Sequence, residues 1–416
     1  MDRVIMHCDL NSFYASVEML KNPSLRGTAM AVGGSPETRH GIVLAKSDLA
    51  KRAGVKTGMA LWQAAKLCPN IQFVLPCYED YKKYSRLVRD IYETYTNEVE
   101  PYGLDECFLD LTTLASSEKL ALQIAHEIRL DIKKQLGLTI SVGVSYNKVF
   151  AKLGSDMKKP DAVTYLPRRE MVSKIWPLPV GELLYCGKSS TEKLKHLSIF
   201  TIGDLAKAAP DIIRRTLGKN GELLQLYARG LDTSPVMVPV EDGLTKSVGH
   251  GTTCARDLVT EEEVWEVMLS LVQEVGHRLR KHHLMAKGVQ ISVRNTKLQF
   301  VQKQGLLERH TRVPMEIAIK GRELYQMLLK EMPNFVLPAR AISIRAIDLV
   351  PEDTPVLMDL FVDSRKEEAK KKLYDTVDDL RGRYGKTIVK EAVLLGDSKL
   401  SYYSQFGPVL PKDGRK

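Results

Sequence analysis

The stretch CFLDL at residues 107–111 is typical of a buried β-strand, and the segments around it decide the fold. The apolar stripe that follows it predicts a long helix and consists of Leu120, Ile124, Ile128, Ile132 and Leu136. An alternating segment at 139–145 and an apolar run at 4–8 predict two further strands. Their order predicts an antiparallel-rich α+β sheet with helices on one face, and residues 12–76 as a small domain inserted after the first strand.

The rest of the chain divides into a helical region and a second α+β region. Residues 167–230 have the pattern of short helices and turns, and the proline-containing stretch 231–243 predicts a linker. A second β, α, β, β, α, β order follows, with strands near 245–256, 287–294, 297–303 and 340–349 and helices near 261–283 and 315–332. The tail from 351 is polar and predicts one further helix over 365–384.

Length and composition are those of a globular protein with several domains. The 416 residues are 44% hydrophobic and 27% charged, which excludes a wholly disordered chain and a collagen-like repeat. The net charge of +10 favours a polyanionic partner. No run of 18 apolar residues, no signal-peptide pattern and no C-x-x-C pair occurs. These features predict a cytoplasmic protein with reduced thiols and no membrane partner.

Three acidic residues stand where burial makes a charge costly. Asp9 ends the first strand, and Asp105 and Glu106 open the strand at 107–111, its neighbour in the predicted sheet. Convergence of the three would be unfavourable unless cations such as Mg²⁺ lie among them. Consecutive strand residues point to opposite faces, so Asp105 and Glu106 can share a site only if the strand begins irregularly, which Gly103 permits. Taken alone, each acid is better explained as a turn or strand-end residue in solvent.

Three sequence motifs, in this order, resemble those of the Y-family translesion DNA polymerases, the DinB/UmuC group. They are HCDLNSFYASVE at 7–18, LDECFLD at 104–110 and SVGVSYNKVFAKLGSDMKKP at 141–160. The resemblance covers about residues 1–350, and LAKSD at 44–48 is similar to the UmuC-like bacterial branch. It implies a right-hand polymerase with a ferredoxin-like palm, small fingers, a helical thumb and a separate βαββαβ little finger. The implied domains are palm 1–10 and 77–166, fingers 11–76, thumb 167–233, linker 234–243, little finger 244–350 and tail 351–416.

The resemblance also implies the residues of the active site. Two Mg²⁺ ions would be held by Asp9, Asp105, Glu106 and the backbone carbonyl of Leu10. Asp9 and Asp105 would bridge both ions, and Glu106 would bind the ion that activates the primer. The implied reaction is nucleotidyl transfer from a dNTP to the primer 3′-hydroxyl, with low fidelity and no proofreading.

The implied dNTP site contains Phe13, Tyr14, Lys51 and Lys159. Tyr14 matches the steric-gate position, where a flat ring leaves no room for a 2′-hydroxyl, whereas packing on the core explains Phe13 better. Lys51 and Lys159 match basic positions that contact the triphosphate. The usual finger residues are replaced by Ala45, Asp48 and Lys51, so a triphosphate contact and a solvated helix face both stay open for Lys51.

The implied DNA contacts lie in the thumb and the little finger. Residues 184–194, LYCGKSSTEKL, resemble a helix-hairpin-helix with Tyr185 at the usual first glycine, and Gly187 and Lys188 would bind backbone phosphate. The basic cluster of the little finger would by itself be a solvated face, but downstream of a polymerase palm it is expected to track the duplex backbone. Its predicted DNA-binding residues are Arg278, Arg280, Lys281, Lys287, Arg294 and Lys297.

The tail contains an apolar pentapeptide that resembles the bacterial sliding-clamp-binding motif. It consists of Leu357, Met358, Asp359, Leu360 and Phe361. Because an exposed apolar segment favours a partner, the sliding clamp is one expectation, and packing on the protein's own surface is the alternative.

The leading interpretation is a Mg²⁺-dependent translesion DNA polymerase that acts on primer–template DNA and dNTP. A recombinase filament or accessory subunits are further candidate partners. The loss of one acid would have favoured a non-catalytic DNA- and clamp-binding regulator of the replication fork, but all three are present. A nucleotidyl cyclase needs neither a thumb nor a basic second domain, so residues 167–350 argue against it.

Overall fold

The computed structural model describes residues 2–34, 41–238, 245–355, 364–385, 388–389 and 392. Its strands are β1 (Ile5–Leu10), β2 (Met30–Gly33), β3 (Val43–Lys46), β4 (Gln72–Val74), β5 (Val99–Pro101), β6 (Glu106–Asp110), β7 (Ile140–Ser145), β8 (Val163–Leu166), β9 (Ser247–Leu258), β10 (Leu284–Asn295), β11 (Phe300–Thr311) and β12 (Ala339–Pro351). Its helices are α1 (Phe13–Lys21), α2 (Asp48–Arg52), α3 (Leu61–Leu67), α4 (Tyr78–Glu93), α5 (Glu118–Leu136), α6 (Lys148–Met157), α7 (Lys188–His196), α8 (Ile202–Lys207), α9 (Pro210–Leu217), α10 (Lys219–Ala228), α11 (Glu261–Lys281), α12 (Pro314–Glu331), α13 (Pro333–Val336) and α14 (Ser364–Tyr384).

The described chain forms two compact units. The first contains the residues from 2 to 34 and from 42 to 238, and the second contains Gly41 and the described residues from 245 onward. The first unit carries the segments predicted as palm, fingers and thumb, and the second carries the segment predicted as little finger. Among the described residues, no helix combines the length and the apolar character that crossing a bilayer requires.

The central sheet of the first unit has the strand order β5-β6-β1-β7-β8. β1 pairs antiparallel with β6 and β7, and β7 pairs parallel with β8. All six residues of β1 are buried, because this strand has neighbours at both edges and helices over both faces. This antiparallel-rich α+β sheet confirms the predicted fold class.

The two faces of this sheet are covered by different helices, which corrects the expectation of helices on one face. Met6, Cys8 and Leu10 pack with residues of α4 and α5. On the opposite face α6 lies directly against β7, where a Cβ on Gly143 would meet the carbonyl oxygen of Ala151 at 1.9 Å. The absence of a side chain at Gly143 therefore allows α6 to cover this second face.

The long helix of the central sheet buries a different stripe from the predicted one. The buried residues of α5 are Ala121, Ala125, Ile128 and Ile132. A strict i, i+4 series advances by 400° per step in a helix of 3.6 residues per turn, so it drifts off the buried face. For that reason Leu120 and Leu136, at the ends of the predicted stripe, are only partly buried.

The inserted domain and the helical region have separate small cores. The sheet β3-β2-β4 packs with α2 and α3, whereas α1 places Phe13 and Val17 in the core of the central sheet. Helices α7 to α10 enclose a core of their own.

The predicted linker is ordered in its first part. Val236 is buried with Ile5, Phe108 and Ala151, and the backbone N–H of Met237 donates to Glu100 at 2.6 Å. Residues 231–238 are therefore attached to the central sheet, which corrects the expectation of a linker that begins at 231.

The second unit is a four-stranded antiparallel sheet of order β11-β10-β12-β9, with α11 and α12 over one face. Val289, Ile291 and Val293 of the central strand β10 face these helices. Because strand residues alternate, Gln290, Ser292 and Arg294 face the opposite side. We call the side of the sheet that carries these three residues the outer face.

Candidate active site and nucleic-acid contacts

The backbone brings the three predicted acids next to one another. Asp9 on β1 lies directly opposite Glu106 on β6. The N–H of Leu10 donates to the carbonyl oxygen of Asp105 at 2.9 Å. Gly103 has a φ of 96°, and β6 begins only at Glu106, so Asp105 precedes the regular strand. The irregular strand start that a shared site requires is therefore present.

The side chains of the acids are paired with basic groups. Asp9 accepts from Lys159 at 2.8 Å, and Glu106 accepts from Lys152 at 2.5 Å. Lys159 also contacts Asp156 at 2.8 Å. Within the part of the chain that the structure describes, no three acidic, histidine or cysteine side chains are grouped closely enough to hold a metal ion. The three acids are neighbours along the backbone, but the carboxylates of Asp9 and Glu106 are each directed to a lysine.

The pKa values of the three acids diverge. Burial, and then the charges of Glu106 and Asp105, raise the pKa of Asp9 to about 6, although Lys159 opposes this. Burial and the charge of Glu106 likewise raise the pKa of Asp105 to about 6. For Glu106 burial acts in the same direction, but the bonds and charges of His7 and Lys152 outweigh it and lower the pKa to about 2. Negative charge is thus crowded here even with two lysines present.

The donor set fits a hard divalent cation. Three acidic residues occupy adjacent backbone positions, and burial together with like-charge repulsion raises the pKa values of Asp9 and Asp105. Mg²⁺ binds through carboxylate oxygens together with water and substrate phosphates. A cation here would relieve the repulsion, and it would compete with Lys159 and Lys152 for the same oxygens.

His7 supports Glu106 and is itself held by Ser155, and the sequence analysis identified neither residue. His7 contacts Glu106 through Nε2 at 3.1 Å and Ser155 through Nδ1 at 2.7 Å. Burial lowers the pKa of His7. His7 lies two residues before Asp9, so strand alternation puts both on one face, and that periodicity could have identified it.

Tyr14 lies near Asp105 within a cluster of aromatic rings. Burial, and then the charge of Asp105, raise the pKa of Tyr14 to about 12. Its ring stacks on Tyr81 with centroids 4.1 Å apart and an angle of 9°, and Tyr81 Oη donates to Glu18 at 2.7 Å. Phe13 is buried in the core of the central sheet. The structure therefore places Tyr14 near Asp105 and Phe13 in the core.

The finger residues lie on or next to the short helix α2. Lys51 and Asp48 are exposed there, and Ala45 is paired with Val32 on the neighbouring strand. Burial, and then the charge of Lys51, lower the pKa of Lys46, so these two cations lie close together. Two neighbouring lysines suit an anionic ligand, but no described contact joins Lys51 to the three acids.

The segment predicted as the thumb hairpin forms a turn into α7 although tyrosine replaces the usual glycine. Gly187 is the N-cap of α7 and Lys188 is its first residue, and both are exposed. Tyr185 has a φ of 66°, which glycine adopts more readily. The N-terminal amides of α7 are thus available in the arrangement that binds phosphate.

The predicted basic cluster of the little finger is divided between two layers. Arg294 lies on the outer face, Lys287 in a bulge of β10, and Lys297 in the turn after it. Arg278 and Lys281 belong to α11, and Arg278 donates to Glu274 at 2.9 Å. The cluster is therefore not one continuous surface.

Arg280 has a partner within the second unit, which differs from its expected role in DNA binding. It is 6% exposed, and its guanidinium donates to both carboxylate oxygens of Asp378 on α14, at 2.6 and 2.9 Å. Arg280 on α11 therefore faces α14. A bidentate pair in this position holds the helix rather than presenting a charge to DNA.

The outer face contains residues that the sequence analysis missed. Ser343 and Arg345 of β12 lie beside Ser292 and Gln290 of β10. On β9 a Cβ at Gly249 would approach the Arg345 side chain to 3.1 Å. The face is therefore flat and polar, with two arginines, and alternation along β10 and β12 could have predicted it. The predicted clamp-binding residues 357–361 lie outside the described residues.

Comparisons with known proteins agree with this geometry. Residues 8–156 match the model of the impB/mucB/samB family, and residues 245–359 match that of the impB/mucB/samB family C-terminal domain. A DNA polymerase IV of Acetivibrio thermocellus is 46% identical over 96% of this chain and 100% of its own length. A DNA polymerase IV 1 of Bacillus subtilis is 36% identical over 94% of this chain and 93% of its own length.

A solved structure supports the same fold. A Y-family DNA polymerase chimera matches 84% of this chain and 99% of its own length, with a TM-score of 0.75 and 20% identity. Together with the motif acids on adjacent strands, these matches identify the chain as a member of the impB/mucB/samB family of Y-family DNA polymerases.

Proposed function

We propose that this protein is a template-directed DNA polymerase for translesion synthesis, which transfers nucleotides from dNTP to a primer 3′-hydroxyl. The observation that carries the proposal is the placement of Asp9, Asp105 and Glu106 on adjacent backbone positions, with crowded negative charge. Near-full-length relatives that are named DNA polymerase IV support it. No observation favours the alternative function, a non-catalytic DNA- and clamp-binding regulator of the replication fork.

Asp9, Asp105, Glu106 and the carbonyl of Leu10 would hold two Mg²⁺ ions. When bound, such ions activate the attacking oxygen and stabilise the leaving pyrophosphate. The chain's own contribution is to fix the carboxylates. His7 and Lys152 keep Glu106 ionised, and the register of β1 and β6 keeps Asp9 opposite it.

Lys159 and Tyr14 would act on the incoming nucleotide. The charge of Asp9 raises the pKa of Lys159 against the effect of burial, so the ammonium is available at neutral pH. Once cations neutralise Asp9, this ammonium would contact the triphosphate. The Tyr14 ring, fixed by its stacking on Tyr81, would exclude a 2′-hydroxyl. Lys51, next to Lys46, would add positive charge from the fingers.

We assign DNA binding to the hairpin at Gly187 and Lys188 and to the outer face around Arg294. Both present backbone amides or cations to a phosphate chain without reading bases. Exposed Lys281, Lys287 and Lys297 would add to the salt-dependent attraction. In this assignment the described domains are palm, fingers, thumb and little finger, with the boundaries predicted from the sequence.

Three finer assignments rest on sequence motifs. LAKSD at 44–48 favours the UmuC-like branch, whereas the relatives are named DNA polymerase IV. LMDLF at 357–361 favours the sliding clamp as a partner. A recombinase filament or accessory subunits would be tested by adding them to a lesion-bypass assay.

Primer extension with and without template tests the proposed activity. We expect Asp9→Ala and Glu106→Ala to lower the extension rate at least about 10³-fold, because charge stabilisation at the reacting phosphate is lost. Binding of primer–template DNA, measured by fluorescence anisotropy, should stay within about twofold of wild type. Substantial residual extension by either variant would contradict the assignment of these acids.

A further inference from the structure

The thumb hairpin contains a strained residue with an exposed aromatic ring. Tyr185 has a φ of 66°, within a turn closed by a 2.9 Å bond from the Cys186 N–H to the Leu183 carbonyl. A positive φ at the third position of such a turn usually requires glycine. Tyr185 is 54% exposed, so burial does not explain why a large ring occupies this position.

The Tyr185 ring lies near two other tyrosines, Tyr227 and Tyr102. Its centroid is 6.3 Å from that of Tyr227, and burial together with a hydrogen bond to Tyr185 raises the pKa of Tyr102. The ammonium of Lys152 lies 5.4 Å from the Tyr102 ring centroid, and Lys152 pairs with Glu106. Tyr185, Tyr102 and Lys152 thus form a continuous series of contacts that leads from the start of α7 to an acid of the active site.

This series of contacts offers a path for a DNA strand that is held at one end by the hairpin and at the other by the acids. We propose that Tyr185 binds the sugar–phosphate backbone of the primer strand, within the last few nucleotides before the 3′ end. The inference rests on the proposed function. The phenol of Tyr185 would donate a hydrogen bond to a phosphate oxygen. Such a bond is charge-assisted and independent of base sequence.

Tyr185→Gly separates this role from a purely structural one. Glycine relieves the backbone strain, so the melting temperature should stay unchanged or rise by up to about 3 °C. The Kd for primer–template DNA should nevertheless increase about tenfold, with the extension rate at saturating DNA within about twofold of wild type. Ser198→Gly is the matched control, because Ser198 is a thumb residue with a φ of 59°. It should give the thermal effect alone.

A second measurement identifies the contact in the wild-type protein. Methylphosphonates replace, one at a time, the last five primer phosphates, and DNA affinity is compared between wild type and Tyr185→Phe. We expect neutralisation at one phosphate to weaken wild-type binding about tenfold, and Tyr185→Phe to show no further loss at that phosphate. Equal losses in both proteins at every phosphate would overturn the inference.

The outcomes distinguish this inference from the proposed function. If wild type extends primers and Tyr185→Gly binds DNA as tightly as wild type, the inference fails alone. If Tyr185→Gly melts lower and no phosphate is coupled to the phenol, Tyr185 is a packing residue and the inference fails as well. If wild type extends no primer on any template, the proposed function fails, and the phosphate coupling still reports whether Tyr185 binds DNA.

Discussion

Two aspartates, the buried Asp9 in the first unit and the partly buried Asp378 in the second, form ion pairs with similar distances but opposite pKa shifts. Asp9 accepts from Lys159 at 2.8 Å, and Asp378 accepts from Arg280 at 2.6 and 2.9 Å. The pKa of Asp9 is raised to about 6, with burial as the main cause. The pKa of Asp378 is lowered to about 2, because its bonds to His277 and Arg280 outweigh burial.

The difference lies in the charges around each pair. Asp9 has two further acids beside it and a single ammonium, whereas Asp378 is bound by a bidentate guanidinium and by His277. The salt bridge between Asp9 and Lys159 leaves the carboxylate hard to ionise, so a metal cation can replace the lysine. The salt bridge between Asp378 and Arg280 favours the ionised carboxylate and attaches α14 to α11. The comparison separates a ligand site from a structural contact, which distances alone do not.

The largest expected effect that tests this comparison is on stability. Asp378→Ala should lower the free energy of unfolding of the second unit by about 3 kcal/mol, because it leaves Arg280 buried without its counter-charge. Asp9→Asn in metal-free buffer should change that of the first unit by no more than about 1 kcal/mol, because lost repulsion offsets the lost ion pair. Native-state hydrogen exchange in α11 and in β1 measures the two units separately.

The conservative variants refine this test. Asp378→Asn retains the shape and one acceptor, so we expect a smaller loss than for alanine. Equal destabilisation by Asp9→Asn and Asp378→Asn would show that both pairs are structural and would remove the distinction.

A smaller effect is expected in the pH dependence of stability. The folded pKa of Asp9 exceeds its ordinary value of 3.8, so the folded state binds more protons between about pH 4 and pH 6. Asp9 therefore costs stability above about pH 6, and this cost disappears toward pH 4. Asp378, with a lowered pKa, adds stability above about pH 4 that is lost as the pH falls toward 2.

Scanning calorimetry in EDTA from pH 4.5 to 7.5 tests the Asp9 part. Wild type should lose about 1–2 kcal/mol relative to Asp9→Asn as the pH rises through this range. Both proteins contain His7, whose lowered pKa acts in the opposite direction, so its contribution cancels in the difference between them. A constant difference across the range would contradict the assignment of a raised pKa to Asp9.

The smallest effect concerns the two layers of the second unit. Arg294→Ala on the outer face should weaken primer–template binding about fivefold. It should also reduce the slope of log affinity against log salt concentration by about one. Arg278→Ala on α11 is the matched control, because its guanidinium is already bonded to Glu274, and DNA affinity should be unchanged. Anisotropy titrations between 50 and 200 mM salt measure both quantities. A larger loss for Arg278→Ala would assign DNA binding to the helical layer.

The sequence predicted those parts of the fold that local periodicity specifies. The helix expected over 261–283 is Glu261–Lys281, and the helix expected over 365–384 is Ser364–Tyr384. The adjacency of Asp9 and Glu106 was predictable because neighbouring strands carry them. Helix α4 was missed, although its buried residues Val88, Ile91 and Tyr92 have helical spacing.

Side-chain partners were not predictable, because they depend on contacts between distant segments. Lys152 reaches Glu106 only because α6 packs tightly on Gly143, and no local pattern signals that approach. Arg280 belonged to an apparently continuous basic cluster, but its partner Asp378 is 98 residues away in the sequence. The net charge therefore indicated the class of partner, a polyanion. It could not distinguish a charged residue that contacts DNA from one that holds two helices together.

The account depends most on the claim that divalent cations displace the lysines from the acids. Mn²⁺ binding, followed by electron paramagnetic resonance, tests it directly in a complex of the full chain with dideoxy-terminated primer–template and dNTP. The account predicts two bound ions per wild-type protein and fewer than one in Asp9→Asn and in Glu106→Gln. Two ions bound equally by wild type and both variants would contradict it.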